Sequence, residues 1–119
     1  MIETRERLCE RNGGTAAGLE LAAADGSFAI VLGDEPPTNG LLVLYDQDGL
    51  LSCERCASAD MALEIAYGRG YQTMAQGSLQ RLSRSERWLK GMRKPASMLA
   101  LLALGPDARR IKKSMGLNP

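Results

Sequence analysis

Histidine is absent from this 119-residue chain. Its absence excludes Ser-His-Asp and Cys-His catalytic groups, histidine general bases and every metal site that contains histidine. The glycines also match neither GxGxxG nor GxxxxGK[ST], which are the sequences of the common phosphate-binding loops. We therefore expect a protein that is not an enzyme and that uses no cofactor.

Aromatic residues, cysteines and long apolar runs are scarce as well. With five aromatic residues in the whole chain, the core must be built mainly from aliphatic side chains. No run approaches the ~18–20 apolar residues that a membrane helix needs, and the charged N-terminus is unlike a signal peptide. Three cysteines are an odd number and too few for a disulfide framework. We expect a reduced, cytoplasmic protein with no membrane partner.

The charges divide the chain into two parts of opposite sign. Residues 76–119 carry ten Lys and Arg against two carboxylates, a net charge of +8. Residues 1–75 carry five Arg against twelve carboxylates, a net charge of −7. Such asymmetry bears on partners rather than on fold. We expect one domain over residues 1–119, with a candidate sub-boundary near 75–77, because either part alone is small for a stable core.

Turn signals and apolar alternation predict an α+β fold. Residues 18–32 alternate around Asp25-Gly26, a dipeptide typical of two-residue hairpin turns in which both residues take positive φ. The apolar run 41–45, a turn, and a return at 50–53 predict a second hairpin. We expect an antiparallel sheet of about four strands, with a candidate fifth near residues 71–73, and one packed helix that begins after Ser58.

The basic segment that follows is helical by pattern. Ser83 and Glu86 have the spacing of a capping box, which predicts a helix start at Ser83. Residues 96–104 are apolar nearly all round, and Gly105-Pro106 should end the helix that they form. Such a helix should be buried or should require a partner. A homodimer through 96–104 is one arrangement that would cover it.

Cys53-Glu54-Arg55-Cys56 has CxxC spacing, and the pattern places it where a strand passes into a helix. Such a pair can form a dithiol redox site or supply two zinc ligands. Zinc takes four ligands, however, and Cys9 is the one other thiol. We therefore expect small, half-buried side chains here and no metal site. A zinc- or thiol-dependent module at Cys53 and Cys56, with Cys9, is the minor alternative.

The basic helices carry the main functional signal. Cations on helices with apolar inner faces can neutralise phosphates, and a tryptophan among them can stack on a base. The same cations can instead meet a protein partner or the chain's own acidic part. The candidate contact residues are Arg84, Arg87, Trp88, Lys90, Arg93, Lys94, Arg109, Arg110, Lys112 and Lys113. The candidate acidic face, on predicted turns, consists of Asp34, Glu35, Asp46 and Asp48.

These patterns lead us to expect a small, non-enzymatic interaction protein of the regulator or inhibitor type, which docks charged faces on a macromolecular partner. Phages and mobile elements carry proteins of this size and kind, so the expectation includes an analogy of class. A protein partner is favoured. The alternative is a nucleic-acid-binding accessory protein or transcriptional regulator that uses the basic C-terminal helices.

Overall fold

The computed structural model describes residues 3–33 and 39–116. Its helices are α1 (Arg5–Arg11), α2 (Ala59–Gly68), α3 (Ser78–Leu82), α4 (Glu86–Gly91), α5 (Pro95–Leu104) and α6 (Ala108–Ser114). Its strands are β1 (Glu20–Ala22), β2 (Phe28–Leu32), β3 (Gly40–Asp46), β4 (Gly49–Cys56) and β5 (Thr73–Met74). A short 3-10 turn, Gly105–Asp107, joins α5 to α6. The predicted α+β class is confirmed.

The strands form one antiparallel sheet in the order β4-β3-β2-β1-β5. The two predicted hairpins are present as β1–β2 and β3–β4. The sheet has five strands rather than four, because the candidate fifth strand pairs with β1 as the two-residue β5. Strand β4 continues to Cys56, three residues beyond the predicted end at residue 53.

Helices cover both faces of the sheet. Helices α1 and α2 bury one face, to which Leu42 of β3 contributes. Helices α3 to α6 bury the other face, to which Leu41 and Val43 contribute. Because successive side chains of a strand point to opposite faces, a strand covered on both sides must be apolar at every position. This requirement explains the continuous apolar run at 41–45.

We call the core beneath α1 and α2 the first core and the core beneath α3 to α6 the second core. The second core joins the acidic and the basic parts of the chain. Ile30 and Val43 come from the sheet, whereas Trp88, Leu104 and Ile111 come from α4, α5 and α6. All five side chains are nearly or fully buried. The basic segment is therefore a helical layer on the sheet, and we call residues 78–116 the C-terminal layer.

The turn between β1 and β2 differs from the prediction. The two strands are separated by residues 23–27, and the Asp25 carboxylate accepts a hydrogen bond from the Ser27 backbone N–H at 2.9 Å. Gly26 has a positive φ of +88°, as predicted. Asp25 does not, since every described residue with a positive φ is a glycine. The prediction of a two-residue turn with positive φ at Asp25 is therefore wrong. The side chain of Asp25 instead stabilises a longer loop.

The helix starts were predicted with mixed success. Ser58 caps α2 through the N–H of Met61, as expected. The capping box at Ser83 is wrong, since Ser85 caps α4 by accepting from the Trp88 N–H at 3.1 Å. Ser83 instead follows the last residue of α3. Helix α5 ends before Gly105, as expected.

Candidate interaction surface

Two arginines join the C-terminal layer to the sheet, Arg55 through the buried carboxylate of Asp107 and Arg110 through a backbone carbonyl that follows β2. The side chain of Asp107 is 2% exposed and lies 3.4 Å from Arg55 of β4 and 3.3 Å from Arg110 of α6. Arg55 also donates to the carbonyls of Ala103 and Leu104 at 2.9 Å each, and so satisfies the C-terminal end of α5. Arg110 donates to the carbonyl of Gly33.

This arrangement removes Arg110 from the predicted contact set. Its side chain is 13% exposed and is paired within the molecule, so the prediction that it faces a partner is wrong. The roles of Asp107 and Arg55 were missed. These residues are 52 positions apart in the sequence, and no local pattern indicates that they meet.

Arg87 pairs with the turn between β3 and β4. Its Nε donates to Asp48 Oδ1 at 2.8 Å, its Nη2 donates to Asp48 Oδ2 at 3.2 Å, and its Nη1 donates to Gln47. These hydrogen bonds hold the pKa of the Asp48 carboxyl below its usual value. A predicted cation and a predicted acidic residue thus bind each other.

Of the other residues in the predicted acidic face, the structure describes Asp46. Asp46 is half-buried in the same turn, where its carboxylate accepts from the Asp48 N–H at 2.7 Å. Asp34 and Glu35 lie outside the described residues. Asp25, Asp46 and Asp48 line a depression of about 270 Å³ together with Arg87, so this acidic corner already holds a cation of the same chain.

Trp88 cannot serve as an exposed stacking group. The residue is 3% exposed, and its ring packs edge-on against Tyr45 with the centroids 6.2 Å apart. The predicted contact role of Trp88 is therefore wrong. The residue belongs to the apolar inner side of α4, where it contributes to the second core.

All the remaining cations of the basic segment point into solvent. They are exposed, and none forms an ion pair with any residue in the described ranges. These eight exposed cations are Arg81, Arg84, Lys90, Arg93, Lys94, Arg109, Lys112 and Lys113. Arg81 is an exposed cation that the predicted contact set did not include. The segment has two acidic side chains, and while Glu86 is exposed, Asp107 is buried.

Helix α5 leaves one apolar side uncovered. Its inner side rests on β4, with Ala100 and Leu104 buried and the Ser97 hydroxyl donating to the Leu50 carbonyl at 2.7 Å. On its outer side, Met98, Leu99 and Leu102 are 48%, 66% and 73% exposed. Residues three and four apart are neighbours on a helix, so these three side chains form one group, which we call the α5 strip.

Cations flank the α5 strip at both ends. Lys94 precedes Met98 by one helical turn, and its carbonyl accepts the Met98 N–H at 3.0 Å. Beyond Leu102, a depression of about 310 Å³ is lined by Gly105, Pro106, Arg109 and Lys112. The Gly105 N–H donates to the Leu102 carbonyl, so this depression adjoins the end of the strip.

The cysteine pair does not form a site. Cys53 and Cys56 both lie within β4, opposite Val43 and Gly40 of β3. Side chains three residues apart in a strand point to opposite faces. Cys53 accordingly packs in the second core and Cys56 in the first. The strand passes into α2 as predicted, since Cys56 is the last residue of β4 and α2 begins at Ala59. Both cysteines lie within the strand, however, and the two thiols cannot act together.

The thiols also lack the features of reactive groups. Burial raises the pKa of Cys9, Cys53 and Cys56, which disfavours the reactive thiolate. Within residues 3–33 and 39–116, no three His, Cys, Asp or Glu side chains are grouped so that they could hold a metal ion. In the same ranges, no helix has the length and apolar character to cross a membrane.

No protein-family model, curated protein sequence or solved structure matches this chain. The residues themselves must therefore carry any functional conclusion.

Proposed function

We propose that this chain is a small, non-enzymatic interaction protein that docks its C-terminal layer on a macromolecular partner. The observation that carries the proposal is the α5 strip, an uncovered apolar side of a helix that lies within a cationic layer. Contiguous apolar surface with a polar rim is typical of interaction sites. A regulator or inhibitor that works by occupying a surface of its target needs no further chemistry.

Two further observations support a non-enzymatic role. The chain has no histidine, so the commonest general base is missing. Its thiols have raised pKa values because they are partly buried, which disfavours thiolate catalysis. The buried Asp107 forms ion pairs with Arg55 and Arg110, as expected for a structural carboxylate.

Affinity capture from the native host, with the tagged full-length chain, tests this proposal. Reversing two exposed cations of the C-terminal layer, in a Lys90→Glu/Lys94→Glu variant, should abolish recovery of a partner that the unaltered chain retains. Arg7→Glu is the control, because Arg7 is an exposed cation of α1, on the other side of the sheet. Equal recovery of the partner with the unaltered chain, the double variant and the Arg7→Glu control would contradict the proposal.

Nucleic-acid binding is the second candidate, and the eight exposed cations favour it. An accessory protein or transcriptional regulator of this kind would use them to neutralise phosphates. Anisotropy of a labelled random duplex should then show affinity that falls steeply with salt. Replacing Arg109 and Lys112 by Gln should reduce the slope of log K against log salt by about one per lost phosphate contact. An unchanged slope would eliminate this candidate.

A further inference from the structure

We propose that the α5 strip and its flanking cations bind an acidic amphipathic helix of a protein partner. This inference rests on the proposed function and names the partner's chemistry. Recognition of this kind places apolar side chains at helical spacing against an apolar surface, with charges at the margins. The strip supplies the apolar surface, and the cations at both ends of α5 supply the margins.

The α5 strip is accessible because the opposite side of α5 packs against the sheet. Ser97, Ala100 and Leu104 are buried against β4, so α5 cannot turn about its axis to hide its outer leucines. Leu99 and Leu102 are the two most exposed large apolar residues in the described ranges. The strip can therefore be covered only by another molecule, and that molecule must present apolar side chains.

The charges select an acidic partner. Lys94 lies at the start of α5, whereas Arg109 and Lys112 line the depression at its end. Arg55 lies at the same end but is already paired with Asp107 and with the last carbonyls of the helix. Lys94, Arg109 and Lys112 are therefore the cations that a partner would meet. Asp48, a carboxylate close enough to Lys94 to be affected by its charge, is already bonded to Arg87. Glutamates beside a partner's apolar face would complement these cations.

A second copy of this chain fits the strip less well. Two copies that meet through α5 with twofold symmetry present the same surface to each other. The cations at the ends of one strip would then face cations of the other, and like charges brought together disfavour association. The predicted homodimer through 96–104 is thus the competing arrangement and an outcome of the test below.

Nucleic acids and membranes also fit less well. Phosphates would bind the cations but would leave the three apolar side chains without apolar contact. Helices that lie on membranes commonly insert tryptophan or phenylalanine together with leucine. In this chain Trp88 is buried and Phe28 is packed in the second core, so neither is available beside the strip.

A set of synthetic helical peptides provides the direct test. The first peptide carries leucines at i, i+3, i+4 and i+7 with glutamates beside them, the second is its scrambled sequence, and the third has lysines in place of the glutamates. Fluorescence anisotropy with the full-length chain should detect binding of the first peptide, with at least tenfold weaker binding of the other two. Failure of the first peptide to bind at millimolar protein would overturn the proposal.

Variants locate the binding site on the chain. Leu99→Ser/Leu102→Ser should weaken binding of the acidic peptide at least tenfold, and so should Lys94→Glu/Lys112→Glu. Met61→Ser is the matched control, because Met61 is a 44% exposed residue on α2, across the sheet from α5. Circular dichroism and Trp88 fluorescence should be unchanged in all variants, since every altered side chain is exposed. Peptide binding that survives the leucine substitutions contradicts the proposal.

Three other outcomes would replace it. A dimer in sedimentation that the leucine substitutions dissociate identifies a second copy as the occupant. Binding to vesicles of phosphatidylglycerol that these substitutions abolish identifies a membrane, and the same result with duplex DNA identifies a nucleic acid. If host-partner capture depends on Lys90 and Lys94 but not on Leu99 and Leu102, the proposed function stands and this inference fails.

Discussion

Gly91 is the residue at which α4 touches the turn between β3 and β4. An alanine is favoured over glycine in a helix by up to ~1 kcal/mol. At this position, however, a Cβ atom would overlap the backbone carbonyl of Asp48. Backbone atoms cannot give way as a flexible side chain can, so we expect Gly91→Ala to lower the free energy of unfolding by about 2 kcal/mol or more. Urea unfolding followed by Trp88 fluorescence measures this loss.

Gly68 provides the matched control, since it is the last residue of α2 and a Cβ atom there would contact nothing within 4 Å. Its φ lies outside the positive range. Gly68→Ala should therefore leave stability unchanged or raise it by up to ~1 kcal/mol. Equal effects of the two substitutions would show that α4 does not approach the turn as described.

The pair between Arg87 and Asp48 predicts a pH dependence. The hydrogen bonds from Arg87 lower the pKa of Asp48 in the folded protein, so the stabilisation is present above the unfolded pKa of about 3.9. It is lost as the pH falls through the lower folded pKa. Arg87→Met should therefore be less stable than the unaltered chain at neutral pH. The difference between their urea midpoints should disappear at strongly acidic pH.

Carboxyl titration by NMR checks the same pair directly. In Arg87→Met the pKa of Asp48 should rise towards its usual value. Arg84→Met is the control, because Arg84 is an exposed cation of the same layer that forms no ion pair with a described residue. A stability difference that persists unchanged in acid would mean that Arg87 acts through packing rather than through Asp48.

At the scale of the element, β4 determines what its cysteines can do. A disulfide needs Cβ atoms about 4 Å apart, but Cys53 and Cys56 point to opposite faces of one strand. We expect no bond between them when the native protein is treated with diamide. Trypsin cleaves after Arg55, so a bridge would keep the two resulting peptides joined, and mass spectrometry can detect the joined pair.

Treatment in concentrated urea supplies the positive control for this experiment, because the unfolded chain can bring the two thiols together. A Cys9→Ser variant removes the third thiol and prevents its exchange with the pair. A joined peptide recovered from the native protein would contradict the placement of both cysteines within β4.

The elements that were predictable are those whose signals are local. The apolar run 41–45 predicts a central strand because both faces of β3 are covered, and the cap at Ser58 requires only nearby residues. The predicted end of this strand at residue 53 was wrong, since the end of a strand depends on its pairing partner, and β3 extends far enough to pair with β4 as far as Cys56. The expectation that both cysteines are small, half-buried side chains is confirmed.

The candidate surface was predictable in part for a similar reason. The sequence indicates that 96–104 is apolar nearly all round, but which residues are covered depends on how α5 lies on β4. Most of the basic set is exposed as predicted. Arg87 and Arg110 are instead ion-paired within the chain. Asp48 becomes a neighbour of Arg87 only when the C-terminal layer packs on the sheet, whereas Asp107 lies three residues before Arg110 and burial removes that pair from solvent. Trp88 is buried since the layer turns its apolar side to the sheet.

For the whole molecule, the shared sheet predicts a single unfolding event. Removing the C-terminal layer would expose one complete face, including Leu41, Val43 and Tyr45, and removing α1 and α2 would expose the other. Neither part retains a closed core of its own, and small domains of this kind usually unfold in one cooperative transition. We therefore expect residues 1–75 and the C-terminal layer to unfold at the same urea concentration, despite the opposite net charges of the two parts of the chain.

Trp88 and Cys9 report on the two layers separately. Trp88, the one tryptophan of the chain, is buried between α4 and the sheet, whereas Cys9 packs against the core beneath α1 and α2. Fluorescence of Trp88 and peptide-resolved labelling of Cys9 should give coincident transitions in urea. Suppose instead that Trp88 fluorescence changes at a lower urea concentration, at which Cys9 is still protected from labelling. The charge boundary near residues 75–77 then separates two units of different stability, and the C-terminal layer unfolds from the sheet before the rest of the chain despite their common core.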